Sequence, residues 1–181
     1  MDDFETMAQV LKTFGHYGFR KASMSNLADA ASVSRQTLYN RFQTKEAVLT
    51  WAANGVTDLR FEQAKLVMAD LDVPPVDAIA QTYRFLLGEA VGFFHGTPHG
   101  PEIFDICMAA FRGPTLSTEN DYVATVAAYL VDRGQVNDPK RAKDLAYVID
   151  LAAKGVMMKV TTVEGFDAAM HRVVTAVLEN A

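Results

Sequence analysis

The chain has one cysteine, Cys107, among 181 residues. No intrachain disulfide can form, and a cysteine-rich zinc site is excluded. No apolar run reaches the roughly 18 residues of a membrane span. The start, Met1-Asp2-Asp3-Phe4-Glu5, lacks the basic opening and apolar stretch of a secretory signal. Alternating β-branched runs bounded by turn residues, which mark strands, are nearly missing. There is no glycine-rich phosphate loop, no nucleophile elbow and no H-E-x-x-H, so no catalytic residue and no cofactor is expected. His95, His99 and Cys107 do not show metal-ligand spacing, and no metal site is expected. The expectation is a soluble, cytoplasmic protein of a reducing compartment.

Positive charge is also short overall. The formal net charge is −5 and the pI about 5.3, a balance that taken whole argues against nucleic acid. The distribution reverses this locally. From residue 12 to 45 stand Lys12, Arg20, Lys21, Arg35, Arg41 and Lys45 against the single acid Asp29, a net of +5. The rest of the chain holds 11 basic and 21 acidic residues, a net of −10. A small basic module on an acidic body is one reading, and a solvated charged face is the other.

What is present is helical periodicity. Phe4, Met7, Ala8, Leu11 and Phe14 predict a first helix ending near Gly15 and Gly18. Ser23, Ser34 and Thr44 are placed to cap three more, reaching to about 31, 42 and 69. Asp72-Val73-Pro74-Pro75 breaks the chain. Further helices are predicted over about 76–94, 102–111, 116–132, 139–160 and 166–178, the second of these stopped by Gly113-Pro114. The fold class is all-α, with about nine helices: an N-terminal three-helix helix-turn-helix domain and a C-terminal helical body.

The stretch from Ser23 to Tyr39 carries the chemistry. Two short helices flank a tight turn at Ser32-Val33-Ser34, with Leu27, Ala28, Val33 and Leu38 as apolar contacts and Ala28 and Ala31 small at the close approach. A helix-turn-helix places its second helix in the DNA major groove. A generic helical hairpin has the same periodicity, so pattern alone leaves both readings open.

Residues 7–51 resemble the DNA-binding domain of TetR-type (TetR/AcrR-like) transcriptional regulators. The resemblance rests on Leu11 and Phe14, Gly18-Phe19, Ala22-Ser23-Met24, Leu27-Ala28, Ala31-Ser32-Val33-Ser34, Thr37-Leu38-Tyr39, Phe42 and Lys45-Glu46, without gaps. It implies a DNA-binding domain over 1–46 and a ligand-binding and dimerisation domain over 47–181. It also implies a sequence-specific regulator, a repressor that a small hydrophobic or aromatic ligand releases from a palindromic double-stranded DNA operator. No membrane partner is implied. The alternative is a helical ligand- or protein-binding module without DNA binding.

Residue roles combine resemblance and chemistry. Arg35, Gln36 and Asn40 lie on the candidate recognition helix; arginine pairs with guanine, and glutamine or asparagine with adenine. Thr37 and Tyr39 look like the family's phosphate-contacting hydroxyls. Ser23, Ser34 and Lys45 sit at helix starts, where free amides and the dipole favour a phosphate. Tyr39 as local core, Arg35 as a solvated charge and Asn40 as a helix-end residue are the competing readings. Two residues depart from the family. Ser32 stands where glycine is usual, and a left-handed serine costs roughly 1–2 kcal/mol. Arg41 replaces a histidine or aromatic and still reaches a phosphate.

In the body, Ala142, Leu145, Ala146, Ile149, Ala152, Ala153, Val156 and Val160 form one apolar stripe. Phe166, Met170, Val173, Val174 and Val177 form another. The resemblance makes them a homodimer interface through the last two helices; an intrachain core is the other reading. Tyr83, Phe93, Phe104, Met108, Phe111, Tyr122 and Tyr147 are candidate ligand contacts, with plain core the competing assignment. Phe93 and Phe94, being adjacent, cannot both face one core.

Overall fold

Capping side chains and apolar stripes set the helix boundaries. A computed structural model describes residues 3–111 and 118–179, and these are all-helical, with no strand among them. The order is α1 (Phe4–Lys21), α2 (Met24–Ala30), α3 (Arg35–Phe42), α4 (Lys45–Ala69) and α5 (Pro75–Leu86). A short 3-10 turn (Gly88–Ala90) leads to α6 (Val91–Gly96), α7 (Gly100–Phe111), α8 (Thr118–Asp132), α9 (Pro139–Lys159) and α10 (Val163–Leu178). No helix among the described residues is long and apolar enough to cross a membrane.

The predicted caps form. Ser23 accepts from the Asn26 amide and Asn26 Oδ1 accepts from the Ser23 amide, a reciprocal capping box. Ser34 Oγ accepts from the Thr37 amide at 3.0 Å, and Thr44 Oγ1 from the Ala47 amide at 3.2 Å. Asp3 caps α1 through the Thr6 amide at 2.9 Å, and this hydrogen bond holds the carboxyl at a pKa of about 2.

Two expectations change. The first helix runs past Gly15 to Lys21, with a kink at Gly18, whose φ is +75°. Only glycine suits this point: the conformation disfavours a side chain, and a Cβ there would lie 3.0 Å from the His99 ring. The stretch 76–94, read as one helix, breaks at Leu87 into α5, the 3-10 turn and α6. A Cβ on Gly88 would lie 2.8 Å from the Phe166 ring, so the break lets the backbone seat against that side chain. Among the described residues ten α-helices are present, in keeping with the expected all-α fold of about nine helices. The Gly113-Pro114 stop and the predicted start at Leu116 lie outside the described residues.

Contacts divide the described residues into two compact units. One takes those up to Leu59 and those from Phe93 to 111; the other takes Arg60–Gly92 and those from 118 onward. In the first, Met7, Val10, Phe14, Leu27, Leu38 and Val48 share one core with Ile103 of α7. Leu38 is 0% exposed; truncating such a residue to alanine costs about 2–5 kcal/mol. It is the peg that fixes the rotation of α3. In the second unit α5, α8, α9 and α10 pack together around Ile79, Leu130, Ile149, Met157, Phe166 and Met170.

Candidate nucleic-acid interface

The geometry of the site begins at the turn. The Val33 amide donates to the Ala28 carbonyl at 3.0 Å and the Ser32 amide to the Asp29 carbonyl at 3.1 Å. These paired bonds close α2 in the manner of a Schellman motif, which needs a left-handed residue at its centre. Ser32 supplies it, with φ of +54°. The turn thus places a serine where glycine would adopt the conformation at less cost.

Seating Leu38 in the core leaves the opposite side of α3 to solvent. Arg35, Gln36, Tyr39 and Asn40 are exposed and line one open, concave face. Gln43, which sequence reasoning did not select, completes it; the helical spacing from Arg35, Gln36 and Tyr39 is the signal that would have found it. The face is ordered by its own contacts. Gln36 Nε2 donates to Asn40 Oδ1 at 2.8 Å, and the Arg35 guanidinium lies 5.6 Å from the Tyr39 ring centre. The Ser34 and Thr37 hydroxyls are 2.8 Å apart at the helix start. Such a face presents a guanidinium, three carboxamides and a phenol, the groups that read base edges and phosphates.

Three candidates are engaged elsewhere. Ser23 Oγ is held by Asn26. The Arg41 guanidinium lies 5.0 Å from the Phe42 ring centre and 5.5 Å from that of Trp51. Lys45 turns back to α1, where its ammonium donates to the Phe19 carbonyl at 2.7 Å and the Arg20 carbonyl at 3.0 Å.

The candidate ligand contacts are shared between the two units. Phe93, Phe104 and Met108 belong to the first unit; Tyr83, Tyr122 and Tyr147 belong to the second. Phe93 packs on the first unit's core, whereas Phe94 turns edge-on to Phe104 at 5.5 Å. Tyr83 is 0% exposed, and burial pushes its phenol well above the ordinary range, with the Asp150 carboxylate adding to the shift. Tyr122 lies edge-on to Phe61, with ring centres 4.4 Å apart. Tyr147 is 55% exposed on the outside of α9. The side chain of Phe111 lies outside the described residues. No group of three or more His, Cys, Asp or Glu that could hold a metal occurs among the described residues.

The stripe read on the last two helices is mostly core. Ala142, Leu145, Ala146, Ile149 and Ala153 are buried within the chain, as are Phe166, Met170 and Val174. The apolar surface that α9 leaves open is a different set: Tyr147, Val148, Leu151 and Met158.

Residues 8–50 match the family model described as bacterial regulatory proteins, tetR family. No curated protein matches the chain by sequence. Solved structures share the fold over nearly the whole length. A TetR-like transcriptional regulator from Rhodococcus sp. RHA1 is 17% identical with a TM-score of 0.66, covering 98% of this chain and 95% of its own. A TetR transcriptional regulator from Streptomyces coelicolor is 18% identical with a TM-score of 0.63, covering 97% and 95%. A TetR variant from Acinetobacter baumannii AYE, in complex with minocycline, is 19% identical with a TM-score of 0.57, covering 97% and 93%.

Proposed function

We propose that this chain, whose residues 8–50 match the model of bacterial regulatory proteins of the tetR family, is a dimeric, ligand-released repressor of transcription. The observation that carries this reading is the exposed α3 face of Arg35, Gln36, Tyr39, Asn40 and Gln43, set on a buried Leu38. It lies inside residues 12–45, a stretch of net charge +5 on an otherwise acidic chain. Arg35, Gln36 and Asn40 read base edges in the major groove. Tyr39, Thr37, Ser34 and Arg41 fix the register on phosphates. Ser23 and Lys45 bring the free amides of α2 and α4 toward the backbone.

Two copies related by a two-fold axis read an inverted repeat, with half-sites about one or more helical turns apart. The open apolar face of α9, with Tyr147, Val148, Leu151 and Met158, is the contact between copies, continued by α10. Residues 1–46 then act as the reader and 47–181 as the effector and dimer body. The effector is a small hydrophobic or aromatic compound; the minocycline complex of the Acinetobacter relative supports that class. The mechanism involves no catalytic step. The protein works in the cytoplasm, where its operator is.

Selection from a random DNA library at low salt tests the reading. Enrichment of an inverted repeat is expected; a library that emerges without a shared sequence contradicts it.

A further inference from the structure

Within the first unit, the end of α1, the first half of α4 and α7 leave a cavity of about 200 Å³. Its walls are Phe19, Leu49, Ala53, Ile106 and Cys107. None of the six expected ligand contacts whose side chains are described lines it, and the α3 face does not share it. Its polar groups among the described residues are Glu46, Thr50 and Asn54, all on α4 at helical spacing. These three side chains have no hydrogen-bond or ion-pair partner among the described residues.

We infer that this cavity is a binding site for a neutral, single-ring aromatic compound bearing one N–H or O–H donor. Size sets the first part of the description. A dry cavity of roughly 150 Å³ lined by aliphatic and aromatic side chains takes benzene, so the space here holds a ring with one substituent. The walls set the second. Phe19 offers a ring for edge or offset contact, and Cys107 offers a polarisable sulfur. Burial pushes that thiol up to about 12, so the wall stays neutral. The rim sets the third. The Glu46 carboxylate and the Asn54 and Thr50 oxygens are acceptors awaiting a donor. Lys45, whose ammonium lies 5.1 Å from the Phe19 ring centre, offsets the Glu46 charge at this end of α4. A neutral ligand is therefore favoured over an ion of either sign. An occupant touches α1, α4 and α7 together.

The test uses the full chain and 4-fluorophenol, with fluorine NMR reporting binding. Cys107 is the sole cysteine, so its slow reaction with an aromatic disulfide reagent, followed at alkaline pH where some thiolate forms, reports protection of this wall, and the rim variant below locates that protection to the cavity. At a probe concentration ten times Kd the rate of modification falls about elevenfold, as mass action requires. Thr50→Trp covers the rim without entering the core, and Ala53→Leu fills the cavity; each weakens probe binding about tenfold or more. If Ala53→Leu does not fold, Thr50→Trp decides. No binding, binding with an unchanged Cys107 rate, or binding that survives Thr50→Trp overturns the inference. None of these readouts involves DNA, so they stand or fall apart from the repressor reading.

Discussion

The Lys45 ammonium and the Phe19 carbonyl are 2.7 Å apart, a charged hydrogen bond across 26 positions of sequence. With the Arg20 carbonyl at 3.0 Å, it ties the start of α4 to the unpaired carbonyls at the end of α1. The lysine that sequence assigned to phosphate is thus a strut between two helices of the reading unit. Lys45→Met removes the charge and keeps the stem. Hydrogen bonds to charged groups are worth about 1.5–3 kcal/mol, so urea denaturation should show a loss of about that size. A variant as stable as the parent, with weaker DNA binding, would place Lys45 on phosphate alone.

Ser32→Gly should stabilise the protein. The left-handed φ of +54° strains a serine; relief of about 1–2 kcal/mol exceeds the roughly 0.5–1 kcal/mol of extra chain entropy that glycine brings. A net gain of a few tenths to about 1 kcal/mol is expected in the denaturation midpoint. A loss would mean that the Ser32 side chain makes a compensating contact.

Asp3 gives a pH signature. Its folded pKa of about 2 lies below the ordinary 3.8 because the ionised carboxylate accepts from the Thr6 amide. The stabilisation is therefore complete above pH 4 and fades as pH falls toward 2. Carboxyl NMR should show the low value, and fraying at the start of α1 should appear in that window. In Asp3→Asn the window should disappear. An Asp3 titration near 3.8 would remove the cap from the account.

The proposed dimer rests on the α9 face. Leu151 is 50% exposed and Met158 63% exposed in the single chain, a costly arrangement if nothing covers them. Leu151→Glu with Met158→Glu should turn a dimer into a folded monomer in sedimentation experiments. Operator affinity should fall with it, since one half-site makes half the contacts. A double variant that sediments like the parent would move the interface elsewhere.

Sequence showed what is local and missed what is distant. Ser23, Ser34 and Thr44 act on amides three residues away, so their caps were legible. The Ser32 turn was legible for the same reason. The carbonyl partners of Lys45 lie on another helix, and no periodicity points to a backbone acceptor. The break before Gly88 depends on the Phe166 ring, 78 positions away. On α9 both sides are apolar, and only packing decides that Ala142, Ile149 and Ala153 go inward while Leu151 and Met158 stay out. Gln43 was missed although its spacing fits, because it follows the last helical residue of α3 and adopts φ of +58°.

The central claim is that the α3 face reads DNA. The direct measurement is affinity for the selected inverted repeat and for scrambled DNA, across a salt series, with the parent and Arg35→Ala. The parent should favour the repeat, and its log affinity should fall with log salt at a slope of about −0.9 per phosphate contact. Losing a bidentate base contact costs about 1–3 kcal/mol, so Arg35→Ala should lose that much on the repeat and little on scrambled DNA. Equal affinity for both DNAs in the parent, or an Arg35→Ala variant that discriminates as well as the parent, would contradict the account.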